Sequence, residues 1–149
     1  MKLYQYLIIA GFGTLAACQS AENKTTDSAQ STSSTKQACY SYTNNRDTAT
    51  LMVMTSGHVV TGELSYKLFE KDSNNGTIKG EMRGDTLVAD YTFNAEGKQS
   101  TRQVAFLKGD GKLIEGYGEV INQEDKVVFK SISTLKFGGA IAFKEISCN

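Results

Sequence analysis

The sequence contains no proline and no tryptophan, and His58 is its one histidine. Proline often blocks the exposed edge strands of β-sheets, so its absence mildly favours a sheet that closes on itself. Without tryptophan, any aromatic wall of a binding pocket must come from the seven tyrosines and seven phenylalanines.

An excess of basic residues is also missing, because 16 lysines and arginines are matched by 16 aspartates and glutamates. Nucleic-acid-binding proteins usually carry a basic patch or stripe, so we predict no nucleic-acid partner. His58 follows Ser56-Gly57, a pair typical of a hairpin tip, where a histidine base lacks a nucleophile and a carboxylate beside it. We therefore assign no catalytic residue and predict no enzymatic activity.

A short apolar segment opens the chain. Lys2 supplies a positive start, residues 7–15 are largely apolar, and the small residues Ala16 and Ala17 precede Cys18. The apolar stretch is shorter than the roughly 20 residues that cross a bilayer as a helix. The pattern therefore indicates an export signal over residues 1–17, which is removed from the mature protein.

The run Leu15-Ala16-Ala17-Cys18 resembles the lipobox of bacterial lipoproteins. That resemblance implies cleavage before Cys18 and attachment of fatty acyl chains such as palmitate to this cysteine. The alternative is an ordinary secretory signal cut near Ala17, with Cys18 incidental. Several acyl chains hold a protein on a membrane far more firmly than one, so the resemblance implies a lasting membrane anchor.

Residues 18–38 are predicted to form the lipidated cysteine and a disordered tether. Nine of the twenty residues from 19 to 38 are serine or threonine, and none is aromatic or a branched aliphatic. Such a segment buries too little apolar surface to offset the entropy lost on ordering. The folded domain is expected at residues 39–149.

Two cysteines remain once Cys18 is assigned to lipid. Cys39 and Cys148 bracket the predicted domain, and in an exported protein such a pair indicates a disulfide. A metal site is the weaker interpretation, because two cysteines and one histidine do not complete a zinc ligand set. We predict a Cys39–Cys148 disulfide, with no metal and no cofactor.

The domain consists of short runs in which apolar and polar residues alternate, separated by glycine, asparagine and aspartate. Such alternation is typical of antiparallel strands with one buried face. Asn74-Asn75-Gly76 is interpreted as a hairpin turn, and residues 113–120 as a single strand. No amphipathic helix of ten residues or more is present. The pattern predicts an all-β, up-and-down meander of eight or nine strands in a closed or nearly closed barrel; a two-sheet sandwich also satisfies it.

Arg102 alternates with Val104 and Phe106, so its side chain is predicted to point into the barrel. A buried arginine needs a carboxylate partner, for which Glu96, Glu115 and Glu70 are the candidates. One interpretation is a salt bridge at the barrel mouth. The other is a polar anchor, with Glu115 beside it, in a ligand pocket walled by aromatic residues. The proposed walls are Tyr66, Tyr91, Phe93 and Tyr117.

Two further runs, Gly62–Asp72 and Glu115–Val120, resemble segments of small lipoproteins of Gram-negative bacteria that contain one β domain. The meander is similar in outline to lipocalin-like and avidin-like barrels, although a chain without tryptophan cannot carry the G-x-W lipocalin signature. The resemblance implies a protein anchored to the outer membrane, on its periplasmic or surface face. We predict that it is a monomer.

The leading functional hypothesis is a non-enzymatic, lipid-anchored envelope protein that binds a small ligand or an envelope protein through its barrel. The alternatives are a hydrolase of envelope polymers that uses carboxylates such as Glu96 and Glu115, and a purely structural component with a filled interior. An apolar cavity beside Arg102 would favour the binding protein. Two carboxyls within about 5–10 Å in an open cleft would favour the hydrolase.

Overall fold

The computed structural model describes residues 34–71, 73–95 and 97–148. Within these residues there is no α-helix, and no helix is long and apolar enough to cross a membrane. Ten strands and one 3₁₀ turn (Ile132–Thr134) are present. The strands are β1 (Lys36–Asn44), β2 (Asp47–Ser56), β3 (Val59–Lys67), β4 (Asn74–Arg83), β5 (Thr86–Ala95), β6 (Lys98–Gly109), β7 (Lys112–Tyr117), β8 (Val120–Gln123), β9 (Lys126–Phe129) and β10 (Lys136–Ile146).

Eight of these strands form a closed antiparallel barrel. Strands β1 to β7 pair in chain order, and β10 closes the ring by pairing with both β7 and β1. The predicted all-β barrel is therefore confirmed. Closure leaves none of the eight strands at a free edge, which removes the usual need for proline or charge to block edge pairing.

Alternation along each strand produces the core. On β3, Val60, Leu64 and Tyr66 are buried, while the intervening side chains face outward or are half-buried. Successive strand residues point to opposite sides of a sheet, so every barrel strand contributes a row of inward side chains. These rows form one hydrophobic cluster: Tyr40, Ala49, Leu51, Val53, Val60, Leu64, Tyr66, Ile78, Leu87, Ala89, Tyr91, Val104, Phe106, Leu113 and Phe143.

The Cys39–Cys148 disulfide is present and spans the seam between the first and last strands. Cys39 lies opposite Ile146 in the β1–β10 ladder, which places Cys148 within reach, at a Cα–Cα distance of 5.3 Å. The covalent link therefore joins the two strands whose pairing closes the barrel.

β1 begins three residues earlier than the predicted domain. Residues 36–38, expected in the tether, pair with β2, and Ala38 packs against the core. This apolar contact and the backbone pairing outweigh the polar composition of the surrounding segment. Cys18, the export signal and residues 18–33 of the tether lie outside the described residues.

The predicted hairpin turn at Asn74-Asn75-Gly76 is wrong, because these residues form the start of β4 and pair with β3. The turn lies before them, where Glu70 adopts a positive φ of 56° and the backbone N–H of Phe69 donates to an Asp47 carboxylate oxygen at 2.7 Å. A Cβ at Gly76 would meet the Thr92 backbone oxygen of the neighbouring strand. The absence of a side chain at Gly76 thus allows two strands to lie close together, and Gly76 is not part of a turn.

The predicted single strand over residues 113–120 is also divided in two. β7 ends at Tyr117, and the chain leaves the barrel at Gly118, where a Cβ would meet a Leu135 methyl group at 2.8 Å. Strands β8 and β9 then form a hairpin outside the eight-strand ring. This hairpin attaches through a short parallel pairing of β9 with the first half of β6.

The turns alternate between the two ends of the barrel. Lys36 enters at the end that carries the β2–β3, β4–β5 and β6–β7 turns, and Cys148 leaves at the same end. The β1–β2, β3–β4 and β5–β6 connections lie at the opposite end. We call these the entry end and the far end.

Candidate ligand-binding site

The candidate site is built around Arg102, in the half of the barrel towards the far end. Arg102 lies directly opposite Tyr91 in the antiparallel β5–β6 ladder. Directly opposed residues carry their side chains on the same face of a sheet, and Tyr91 is fully buried in the core. The register therefore directs the Arg102 side chain inward.

Three aromatic rings surround the Arg102 guanidinium. Its Cζ lies 5.6 Å from the ring centroids of Tyr66 and Tyr91 and 5.5 Å from that of Phe93. The Tyr91 and Phe93 rings are themselves stacked, with centroids 4.8 Å apart. A cation within about 6 Å of an aromatic face is attracted by the ring quadrupole, so these rings hold the guanidinium in one place.

Arg102 forms no ion pair with either of the predicted partners that the structure describes, Glu115 and Glu70. No described acid forms an ion pair with it, and its buried Nε has no hydrogen-bond partner. Glu70 is exposed in the β3–β4 loop, and Glu96 lies outside the described residues. The predicted ion pair with Glu115 or Glu70 is therefore wrong, because the aromatic rings, rather than an acid, pack against the guanidinium.

Glu115 is held by a different group. The Tyr66 hydroxyl donates a hydrogen bond to Glu115 Oε1 at 2.8 Å. Burial raises the pKa of the Glu115 carboxyl, while this hydrogen bond and the Arg102 charge act in the opposite direction. Glu115 is thus a partly buried acid that is coupled to Arg102 through space without forming a salt bridge.

The two tyrosines serve as neutral supports. Burial raises the pKa of Tyr66 well above its usual range, and the nearby Glu115 charge adds to the effect. Burial likewise raises the pKa of Tyr91 to about 12, and its hydroxyl donates to the Leu64 carbonyl at 3.0 Å. Both phenols are protonated at physiological pH, so both donate hydrogen bonds that fix the rings around Arg102.

A cavity of about 220 Å³ lies beside Arg102. It follows from the divergence of two strands: β6 pairs with β7 only from Phe106 to Gly109, and the first half of β6 pairs with β9 instead. The gap between β6 and β7 is partly filled by the β8–β9 hairpin. The lining residues are Arg102, Gln103, Val104, Glu115, Gly116, Tyr117, Gly118, Val120, Val127 and Phe129.

The cavity wall is divided by chemistry. Arg102, Gln103 and Glu115 supply polar groups, and aliphatic and aromatic side chains line the rest. Gln103 is engaged at its side-chain oxygen, which accepts a hydrogen bond from the Phe129 backbone N–H at 3.2 Å. Tyr117 lies at the rim, with 54% of its surface exposed. Among the described residues, the cavity thus combines an apolar surface with one cation that forms no ion pair and one acid.

The six candidate residues fall into two groups of three, one that lines the cavity and one that packs against the Arg102 guanidinium. Arg102, Glu115 and Tyr117 line the cavity, whereas the rings of Tyr66, Tyr91 and Phe93 contact the guanidinium and are not among the lining residues. Sequence reasoning missed Val127 and Phe129, because they belong to the hairpin outside the barrel ring. Only the apolar character of the run Val127-Val128-Phe129 could have indicated their burial.

A larger groove of about 700 Å³ runs over the outer face of β4, β5 and β6. Its charged side chains are largely paired with one another, as Arg83 with Glu81 and Lys126 with Asp90, each at 2.7 Å. Thr92 and Thr101 also share a hydrogen bond there, at 3.1 Å. Because these polar groups bond to one another, the groove offers a ligand fewer unpaired hydrogen-bonding groups than the cavity at Arg102 does.

In the described part of the chain, no group of three or more His, Cys, Asp or Glu residues is placed to hold a metal ion. Of the described residues that line the cavity, Glu115 is the one acid. Comparison of the chain with models of protein families, with curated proteins and with solved structures gave no match.

Proposed function

We propose that this protein is a lipid-anchored envelope protein whose barrel binds a small molecule, without chemical conversion, in the cavity beside Arg102. The observation that carries the proposal is that the half-buried Arg102 lines a cavity and forms no ion pair among the described residues. A guanidinium with unpaired donors beside a cavity favours a ligand that supplies acceptors, so such a ligand would gain binding free energy at this position.

The size of the cavity limits the ligand. Its volume of about 220 Å³ equals the share of about seven molecules of liquid water. Pockets for drug-sized ligands usually begin at about 300 Å³. The proposed ligand is therefore smaller than a typical drug and smaller than a long-chain lipid.

The lipid anchor is part of the proposal and is supported by the Leu15–Cys18 run. The Cys39–Cys148 disulfide is compatible with an oxidising, extracytoplasmic compartment. The first described strand, β1, starts at the entry end, whereas the site lies towards the far end. We place the protein on the outer membrane.

The ligand is tested with small molecules extracted from the envelope of the host. The mature chain carrying Cys18→Ser is incubated with the extract, separated from free compounds and examined by native mass spectrometry. We expect one small compound to be retained by this protein and lost in Arg102→Met. Arg83→Met is the matched control, because Arg83 is an exposed arginine on the outer face. If no compound is retained, or Arg102→Met retains it equally, the proposed function is wrong.

The anchor is tested separately. Cys18→Ser in the full chain should remove the acyl chains, detected as a loss of mass, and should release the protein from membranes. A variant that remains in the membrane fraction would contradict the proposed anchor, whatever the cavity binds.

A further inference from the structure

We propose that the ligand is a small organic monocarboxylate whose carboxylate pairs with Arg102 and whose apolar body lies against the hairpin side of the cavity. This inference rests on the proposed function and specifies the ligand class of the same site.

Aromatic rings surround the Arg102 guanidinium, and no described carboxylate forms an ion pair with it. The rings of Tyr66, Tyr91 and Phe93 lie at nearly equal distances from Cζ. A guanidinium presents donors in a planar fork that matches a carboxylate in two-point contact. Because the rings hold it in position beforehand, little entropy is lost when a carboxylate binds.

The cavity wall away from Arg102 is apolar. Val104 contributes from the barrel, and Val127 and Phe129 contribute from the β9 strand of the hairpin. Burial of apolar surface is favourable in rough proportion to its area. A ligand with a short aliphatic or aromatic body would therefore gain from this wall, whereas a fully polar ion would leave it unfilled.

Glu115 limits the negative charge of the ligand, because it repels a second negative charge in the cavity. It lines the same cavity, and its Oε1 already accepts the hydrogen bond of Tyr66. A doubly charged group such as phosphate would meet more repulsion from this acid than a monocarboxylate does. A neutral amide would leave the Arg102 charge uncompensated, and a cation would be repelled by it.

Four probes separate these classes. Phenylacetate, phenylacetamide, 2-phenylethylammonium and inorganic phosphate are titrated into the mature Cys18→Ser chain at neutral pH and low salt, and binding is measured by calorimetry. We expect phenylacetate to bind with a Kd of about 1 mM or tighter. The other three should bind at least about tenfold more weakly. Absence of phenylacetate binding, or equal binding of the amide or of phosphate, would overturn the monocarboxylate class.

Two variants locate the carboxylate. Arg102→Lys keeps the charge but loses the fork, and should weaken phenylacetate binding about tenfold, whereas the exposed Arg83→Lys should leave it unchanged. Glu115→Gln removes the competing acid while its side-chain oxygen can still accept from Tyr66, so it should strengthen phenylacetate binding. Equal affinities of Arg102→Lys and the unaltered protein would contradict the proposed contact, as would weaker binding by Glu115→Gln.

The two proposals fail in different ways. If a host compound is retained in an Arg102-dependent manner but the probes show no preference for the carboxylate, the ligand class is wrong and the binding function stands. If no host compound is retained, the binding function itself is wrong, even if phenylacetate occupies the cavity.

Discussion

At the scale of single residues, the site depends on how two charged groups are kept apart. Arg102 packs among aromatic rings, and Glu115 accepts a hydrogen bond from Tyr66 instead of pairing with the arginine. A direct salt bridge would satisfy both groups and leave neither for a ligand. The Tyr66 hydroxyl therefore has a positioning role, because it engages the acid and leaves the arginine donors available.

Glu115 also makes stability depend on pH. Burial is the chief cause that raises its folded pKa above the ordinary value of 4.5, so the folded state holds this proton more tightly than the unfolded state does. The free energy of unfolding should then fall as pH rises from about 4.5 through the folded pKa. Glu115→Gln should flatten this part of the profile, measured by urea unfolding at a series of pH values.

Glu119→Gln is the matched control for that measurement. Glu119 is an exposed acid, paired with Lys130 at 3.0 Å, and 78% of its side-chain surface is accessible. This control should leave the profile between pH 4.5 and neutrality nearly unchanged. A Glu115→Gln profile with the same slope as the unaltered protein would show that burial of this carboxyl has no energetic effect.

At the scale of strands, glycine permits the tight curvature of a small barrel. Gly80 lies opposite Ala89 in the β4–β5 ladder. A Cβ there would collide with the Val88 backbone oxygen and the Ala89 Cα. These two strands can approach so closely only because residue 80 has no side chain.

Gly80→Ala should therefore lower the free energy of unfolding by about 1–3 kcal/mol, as overpacked substitutions do. Gly109→Ala is the control in another strand, because no atom lies within 4 Å of its added Cβ. That change should be neutral or stabilise by about 0.4–1 kcal/mol. Urea unfolding of both variants checks this; equal effects of the two would contradict the proposed close approach.

The strands of the barrel were predictable because each follows the alternation of one buried face. Period-two spacing alone predicts an inward-facing side chain, as it does for Tyr91 and Phe93 on β5 and for Val104 and Phe106 on β6. The departure at Gly118 was not predictable, because it depends on contact with Leu135, seventeen positions along the chain. The hairpin turn predicted at Asn74-Asn75-Gly76 is wrong for a related reason. The local turn preference of these residues is outweighed by their pairing with β3.

The candidate site was predictable in its residues but not in its arrangement. Spacing alone directs Arg102 inward, and its aromatic neighbours follow from the same alternation. The cavity itself depends on the divergence of β6 from β7 and on the hairpin that partly fills the gap. Both are tertiary effects of strand pairing, and short-range sequence patterns do not report them.

At the scale of the whole molecule, the disulfide and the closing strand pair act on the same seam. The β1–β10 ladder contains three register pairs, Cys39–Ile146, Tyr40–Glu145 and Ser41–Lys144. The β1–β2 ladder, on the other side of β1, contains more register pairs. The seam is thus the shorter of the two pairings that hold β1, and the disulfide lies directly on it.

Loss of the disulfide should therefore open the barrel at this seam first. In the chain-entropy picture a cross-link between residues 109 apart in sequence contributes up to about 4–5 kcal/mol. We expect the double variant Cys39→Ser and Cys148→Ser to unfold at a much lower temperature, with amides of β1 and β10 losing hydrogen-exchange protection before those of β4 and β5. Uniform loss of protection around the barrel would contradict the role of the seam.

The proposed site for a small acid is the cavity beside Arg102 rather than the outer groove. The direct test is an NMR titration of the isotopically labelled mature Cys18→Ser chain with phenylacetate, read residue by residue. Binding at the proposed site predicts saturable shifts concentrated at Arg102, Val104, Glu115 and Phe129, with no comparable shifts from phenylacetamide. Shifts centred on the outer-face threonines 77, 92 and 101, or no saturable shift at Arg102, would contradict it.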